Sequence, residues 1–301
     1  MVNLMYDVAI IGFGPAGATA AIYSARYNMK TVIFGQVPGG TAAEAHVICN
    51  YPVFKEMKGF EFAQKLLEHV QEMKVDINFE KVDAIEKKQD HFEIIFGSEM
   101  VKAKKIIIAT GTKRKHLNID RENEFRGKGI SYCATCDSTF YKGKTVGVVG
   151  GGNAALTAAL LLSEFSENVY IFYRKDKFTK AEPAWTSQVL KNKKITPIFN
   201  VEVAKLNGVD KLESVELSNG KEVKVEGLFV EIGADPNIAF ADNLNLEKDE
   251  KGYVKINSSC ETNISGVYCA GDVVNNELKQ IVVAEANGAT AATNIYHELN
   301  K

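Results

Sequence analysis

Two glycine turns constrain this chain most: Gly12-Phe13-Gly14-Pro15-Ala16-Gly17 near its start and Gly150-Gly151-Gly152-Asn153-Ala154-Ala155 at its middle. Each stands between an apolar run and a stretch of small residues. Residues 8–11 read as a buried strand, 16–22 as a helix whose small side chains let it lie close to a sheet, and 31–34 as the next strand. The same order returns 138 residues later, from Gly12 to Gly150: strand 145–149, glycine turn, helix 154–162, strand 169–173. A duplicated β-α-β unit is the simplest reading, and 301 residues suit two domains of ordinary size.

Glycines at such turns have a physical purpose. Gly12, Gly14 and Gly17 permit a tight bend and close backbone approach, so that a pyrophosphate can rest on free N–H groups at the helix amino end. The acidic ribose partner expected about 20 residues further on is missing, since the strand ends Phe34-Gly35-Gln36; ribose contacts then fall to the backbone or to Gln36. In the second motif Ala155 takes the third glycine position, and Gly150, Gly152 and Asn153 complete it. Its second strand is followed by Arg174-Lys175, cations that favour a 2′-phosphate; the alternative is two solvated charges on a loop.

Between the two motifs lies Cys133-Ala134-Thr135-Cys136-Asp137, which ends its C-x-x-C fourteen residues before Gly150. This spacing allows an intramolecular disulfide and can lower a thiol pKa, and the thiolate is the attacking species. Asp137 is placed to carry a proton to or from a leaving thiolate. The chain has five cysteines; Cys49, Cys260 and Cys269 are isolated and read as small buried apolar residues, which fits neither a secreted disulfide framework nor a structural zinc site.

Composition narrows the class. With 36 basic and 38 acidic residues the net charge of −2 gives no general attraction to nucleic acid or to anionic membrane. No apolar run approaches the ~20 residues of a spanning helix, and the first residues run into a strand without a basic leader, so a cytoplasmic location is expected. Lys113-Arg114-Lys115-His116 and Lys191, Lys193 and Lys194 read as solvated faces.

Elsewhere, Phe60, Ala63, Leu66, Leu67, Val70 and Met73 predict an amphipathic helix over 59–73 whose stripe is core. Phe92, Ile94 and Phe96 alternate as a half-buried strand, and residues 106–109 form a buried one ending at Thr110-Gly111. Asn219-Gly220 between 212–217 and 222–225 is a hairpin signal, 228–233 is another buried strand, and 266–272 delivers Asp272 to a strand's carboxyl end.

Gly-x-Gly-Pro-Ala-Gly, Pro38-Gly39-Gly40, Asn50-Tyr51-Pro52, Ala109-Thr110-Gly111, Cys-Ala-Thr-Cys-Asp, the triple glycine, Ile232-Gly233-x-x-Pro236-Asn237 and Ala270-Gly271-Asp272-Val273 with Lys279-Gln280 occur in this order over the whole chain. In order and spacing they resemble a low-molecular-weight thioredoxin reductase. The resemblance implies an α/β fold of two Rossmann-like nucleotide-binding domains, three-layered, with parallel central sheets and antiparallel hairpin layers. It divides the chain into an FAD-binding domain, 1–113 with 242–301, and a pyridine-nucleotide domain, 114–241, that carries the dithiol. The two connections near 113 and 242 are then hinges about which the second domain rotates.

Carried over by position, Gly12, Gly14, Pro15, Ala16 and Gly17 hold the FAD pyrophosphate, and Phe34, Gly35, Gln36, Gly39, Gly40 and Thr41, with Val82, line its adenosine side. Thr110 and Gly111 belong to the same site, Asn50 approaches the isoalloxazine, Gly271 and Asp272 meet the ribitol and pyrophosphate, and Lys279, Gln280 and Ile281 reach the ring. Gly150, Gly152, Asn153, Ala155, Arg174 and Lys175 take NADPH. Cys136 faces the flavin, Cys133 attacks the partner disulfide, and Asp137 is the acid. A homodimer serving thioredoxin or a thioredoxin-like protein completes the implication.

The stretch Asn153-Ala154-Ala155-Leu156-Thr157-Ala158 departs from the family pattern, lacking the helix glutamates and one hydroxyl; Thr179 stands where a further arginine is usual, with Lys180 beside it, and Ser138 where glycine is usual. Two alternatives keep the dithiol chemistry: a ferredoxin or reduced-deazaflavin donor, and a different protein disulfide as acceptor. From another class, the chain reads as a redox sensor that merely retains FAD.

Overall fold

The computed structural model describes residues 5–45, 48 and 50–300; Cys49 lies outside them. The chain forms two compact units, Met1–Lys113 with Asp235–Lys301 and Arg114–Ala234.

The first unit opens with β1 (Met5–Ile11), α1 (Pro15–Arg26) and β2 (Thr31–Phe34), followed by α2 (Gly59–Glu72), β3 (Asp76–Asn78), β4 (Ala84–Lys87), β5 (Phe92–Phe96), β6 (Glu99–Ile108) and β7 (Thr112–Arg114). The second contains α3 (Glu122–Phe125), β8 (Ile130–Ser131), α4 (Ala134–Asp137), β9 (Thr145–Val149), α5 (Asn153–Phe165), β10 (Asn168–Tyr173), α6 (Pro183–Lys191), β11 (Ile195–Phe199), β12 (Val203–Asn207), β13 (Ser214–Leu217), β14 (Glu222–Lys224) and β15 (Gly227–Val230). The return supplies β16 (Ala234–Pro236), β17 (Val267–Cys269) and α7 (Ile281–Leu299). Both passages of the chain occur at one two-stranded ribbon, β7 with β16.

In the first unit β3-β2-β1-β6 is parallel, and β6 is the pivot of the sheet. Its first half pairs antiparallel with β5, from Phe92 opposite Ala103 to Phe96 opposite Glu99, while its last three residues pair in parallel with β17. A ten-residue strand thus serves a hairpin and a nucleotide-type sheet in succession. Ile106 and Ile108 face one core with Phe34 and Phe96, and Ile107 faces the other with Ile10, Tyr268 and the helices α1 and α7. That alternation follows from the two-residue period of a strand, and each such side chain contributes roughly 1.5–3 kcal/mol by leaving water. The second unit repeats the scheme as a parallel sheet β11-β10-β9-β15-β8 and a separate antiparallel sheet β12-β13-β14, whose β13–β14 turn holds Asn219-Gly220.

Two expectations need correction. Phe60 does not join the α2 stripe and is 64% exposed; followed back from Val70 and Leu66 in steps of four, the buried face reaches Phe62 instead. The return to the first unit falls at 234/235, because Ile238, Ala241, Leu244 and Leu246 already pack in that unit's core. Among the clustered cations Arg114 is half-buried and pairs with Glu231 at 2.7 Å, whereas Lys113 and Lys115 face solvent. Cys260 and Cys269 are free and buried, and burial pushes both thiols up. Among the described residues no helix is long and apolar enough to cross a membrane.

Candidate functional site

Cys133 and Cys136 form a disulfide in the second unit, just beyond β8. Backbone hydrogen bonds fix the turn: the Cys133 N–H donates to Ser131 Oγ at 3.0 Å and the Asp137 N–H to the Cys133 carbonyl at 3.2 Å. The Cys136 N–H points at Cys133 Sγ at 3.2 Å, a donor that favours the thiolate there once the bond is opened. Cys136 is exposed, and Cys133 and Asp137 are half-buried. Asp137 lies close enough to Tyr141 to raise its phenol, after burial, which is the larger cause.

A support not singled out in the sequence lies under this turn. Glu122 is 5% exposed and accepts from the Leu117 and Asn118 N–H groups at 2.7 Å each and from the Tyr132 hydroxyl at 2.5 Å. The residue before Cys133 is thereby tied to a buried carboxylate, and burial together with Glu122 pushes the Tyr132 phenol up. The sequence offers only a Glu ten positions before a Tyr, and no period connects them.

In the first unit, Gly12 ends β1 with φ +116°; a Cβ there would come within 2.2 Å of the Ala109 carbonyl oxygen. Gly17 lies so close to the Gly12 carbonyl that a Cβ would reach 1.8 Å from its oxygen. At Gly14, by contrast, a Cβ would meet nothing within 4 Å, so the turn is packed from behind and open in front. Helix α1 starts there with Pro15, no side-chain cap and no acidic residue in its first turn, which leaves its N–H groups and dipole available to an anion. Gly39 and Gly40 fold back on this turn, the Gly39 N–H donating to the Phe13 carbonyl at 2.7 Å. Phe34, Ala16 and Gly17 are buried; Gln36 and Thr41 are exposed.

Beyond β17, Gly271 donates its N–H to Asn287 Oδ1 at 3.3 Å, and Asn287 also accepts from Asn276 Nδ2 at 2.5 Å. Burial raises the Asp272 carboxyl against the opposing pull of Lys279, and lowers the Lys279 ammonium. Lys279 Nζ donates to the Asp272 carbonyl at 3.1 Å and to the Val274 carbonyl, and sits 4.1 Å from the centroid of Tyr253. Gln280, just before α7, accepts from Asn50 Nδ2 at 2.9 Å; one turn on, Glu285 hydrogen-bonds Tyr51, and burial raises its carboxyl. Thr110 Oγ1 donates to the Asn237 carbonyl at 2.6 Å, and the Asn237 N–H to the Gly111 carbonyl at 3.0 Å. The Val82 side chain belongs to the core, which leaves only its backbone for a ligand. Asn287, Tyr253 and Glu285 escaped the sequence reading because each acts through a contact distant in the chain.

The residues of the first unit fit a bound dinucleotide: an open turn at an uncapped helix and a half-buried acid beyond β17. The second unit has the same geometry behind its turn, where Gly150 (φ +141°) would place a Cβ 2.2 Å from the Glu231 carbonyl oxygen, and Gly152 is open. Arg174 and Lys175 are exposed just past the end of β10, and Lys175 Nζ lies 3.4 Å from Thr179 Oγ1. The structure therefore gathers the predicted site residues into two groups, one cradle in the first unit, and a second cradle with the dithiol in the other.

Two nucleotide cradles and a C-x-x-C disulfide in one chain define an oxidoreductase of the two-dinucleotide, disulfide-linked class. Residues 6–288 match the family model described as pyridine nucleotide-disulphide oxidoreductase. The thioredoxin reductase of Bacillus subtilis (strain 168) is 35% identical over 300 residues, 97% of this chain and 94% of that one. Among solved structures, Lactococcus lactis thioredoxin reductase superposes with a TM-score of 0.94 at 36% identity, covering 97% of this chain and 98% of the other. That of T. acidophilum gives 0.93 at 35%, covering 99% of each. The chain belongs to the thioredoxin reductase family, FAD-dependent oxidoreductases within the pyridine nucleotide-disulphide class.

Proposed function

We propose that this protein is a thioredoxin-disulfide reductase that takes electrons from NADPH and delivers them through FAD and the Cys133–Cys136 pair to thioredoxin or a thioredoxin-like protein. The observation that carries the reading is the Cys133–Cys136 disulfide in the unit of the second cradle, in a chain that also has an open first cradle. Bound FAD supplies the means to convert hydride input into two-electron reduction of a disulfide.

In this reading Met1–Lys113 with Asp235–Lys301 is the FAD-binding domain and Arg114–Ala234 the pyridine-nucleotide domain. Gly12, Gly14, Pro15, Ala16 and Gly17 hold the FAD pyrophosphate; residues 34–36 and 39–41 with the Val82 backbone take the adenosine side; Thr110, Gly111, Gly271 and Asp272 bind the middle; Asn50, Lys279, Gln280 and Ile281 orient the ring. Gly150, Gly152, Asn153 and Ala155 cradle the pyridine nucleotide, with Arg174 and Lys175 on its 2′-phosphate. Cys136 would be the thiol of the pair that faces a bound flavin. Cys133, as thiolate, attacks the acceptor disulfide to give a mixed disulfide and one released acceptor thiolate, which takes a proton. Cys136 then displaces the second acceptor sulfur, restoring the Cys133–Cys136 bond, and Asp137 relays the proton that sulfur needs.

A cytoplasmic homodimer with no nucleic-acid or membrane partner completes the proposal. The free buried thiols of Cys260 and Cys269 suit a reducing compartment, and the exposed Val53 and Phe60 of the first unit suit a contact between copies. The test is consumption of NADPH by the FAD-loaded enzyme with and without thioredoxin. Consumption should require thioredoxin and vanish in Cys133→Ser; equal consumption in both proteins, or none in either, would reject the function.

A further inference from the structure

The amino end of α5 is not bare. Asn153, its first residue, donates from Nδ2 to Glu182 Oε1 at 2.8 Å, and its Oδ1 accepts the Glu182 backbone N–H at 2.7 Å. One residue earlier, Gly152 forms an isolated parallel bridge with Lys180. A segment 29 residues away in sequence is therefore strapped across the second glycine turn by both backbone and side chain.

Glu182 is the N-cap residue of α6, yet its carboxylate makes no cap bond there; α6 begins with Pro183, which has no N–H to offer. The carboxylate turns to α5 instead. Helix α5 has neither a side-chain cap nor an acidic residue of its own in the first turn, and the Glu182 carboxylate, tethered to the Asn153 side chain, brings a negative charge beside a helix end that favours one. A nucleotide pyrophosphate seeks the same place for the same reason, and two anions there repel.

We propose that Glu182, held by Asn153, is a specificity-determining residue of the second nucleotide site: its carboxylate stands beside the anion position at α5, so a pyridine nucleotide binds only when the strap at 180–182 lifts. This deepens the proposed function and rests on its assignment of that cradle to a pyridine nucleotide. Lifting turns a repulsive carboxylate away and frees Lys180, alongside Arg174 and Lys175, for the phosphates. Bound nucleotide and closed strap are alternative states, and the nucleotide's apparent affinity is reduced by the fraction of molecules that are closed.

The chain's single tryptophan, Trp185, lies three residues beyond Glu182 in α6 and reports on the strap directly. The experiment titrates oxidised, FAD-loaded enzyme with NADP+, which binds without reducing the flavin, and follows Trp185 fluorescence with calorimetry as a check. Glu182→Gln keeps an acceptor for Asn153 and removes the charge; Glu182→Ala removes the charge and the side-chain tether together. Both variants should bind NADP+ more tightly than the natural protein, by about three- to tenfold for an exposed charge, with the difference shrinking as salt is added. Equal affinities in all three proteins would overturn the proposal and leave the donor assignment standing. Weaker binding in Glu182→Gln with full FAD content would show a carboxylate that serves the nucleotide, and would likewise overturn it. If no form binds NADP+ at millimolar concentration, the proposal fails together with the assignment of the cradle.

Discussion

The two glycine turns were built from one plan and differ in what stands before them. Behind the turn they agree: Gly12 and Gly150 both have positive φ and both lie against a carbonyl of a neighbouring strand's end, Ala109 in one and Glu231 in the other. In front they diverge. Gly14 and Gly152 are both open to a Cβ, but beside α1 the chain brings in glycines 39 and 40, whereas beside α5 it brings in Lys180 and Glu182 and bonds them to Gly152 and Asn153. Fold therefore specifies where an anion can bind, and the loop laid over the helix end decides how readily it does. A prosthetic group that stays bound suits the first arrangement, and a nucleotide that comes and goes suits the second.

The deepest break separates both cradles from their output. Cys133→Ser should leave flavin content unchanged while disulfide turnover falls by roughly a thousandfold or more, since no thiolate remains to form the mixed disulfide. Next comes the comparison itself. Gly12→Val forces a side chain into a positive-φ position against a backbone oxygen, at a cost of about 3 kcal/mol or more, and should yield colourless protein. Gly150→Val should keep its flavin but lose NADP+ binding, and absorbance and calorimetry would decide; flavin loss in both variants would show that the units do not bind independently.

Smaller changes sharpen the contrast. Arg174→Ala should reduce the preference for NADPH over NADH by roughly five- to tenfold, read from kcat/KM for each nucleotide, and leave FAD affinity alone. Asp272→Asn acts on the other side. Burial raises the Asp272 carboxyl, so the flavin-free fold binds a proton there more tightly than the unfolded chain. Its contribution to stability is accordingly present at low pH and lost as pH rises from the ordinary aspartate range through the raised value. At neutral pH the asparagine variant without flavin should melt about 2 °C higher than the natural protein, by calorimetry, and the gap should close on acidification. A variant that melts lower at neutral pH would refute this account of Asp272.

What could be read from the chain was local. Residues 31–34 and 145–149 coincide with β2 and β9, because an apolar run bounded by glycine or polar residues has one way to be buried. The dithiol and both turns were legible because their chemistry depends on spacing of three or four residues. Phe60 was misread because a period of three and four fits either of two neighbouring phenylalanines, and only the packing of α2 chooses Phe62. Glu122, Asn287 and Glu182 were illegible for another reason. Each is a common polar residue whose partner is brought to it by the fold, as Asn153 is brought to Glu182, and nothing in the intervening residues marks the pair.

The central claim is that electrons enter at a pyridine nucleotide and leave through one disulfide. Anaerobic titration of the FAD-loaded enzyme with NADPH, followed by thiol alkylation and peptide mapping, tests it most directly. The visible flavin absorption should bleach, and Cys133 and Cys136 should both become alkylated in step with NADPH consumed. Flavin that stays oxidised, or flavin that bleaches while the Cys133–Cys136 bond remains intact, would contradict the account.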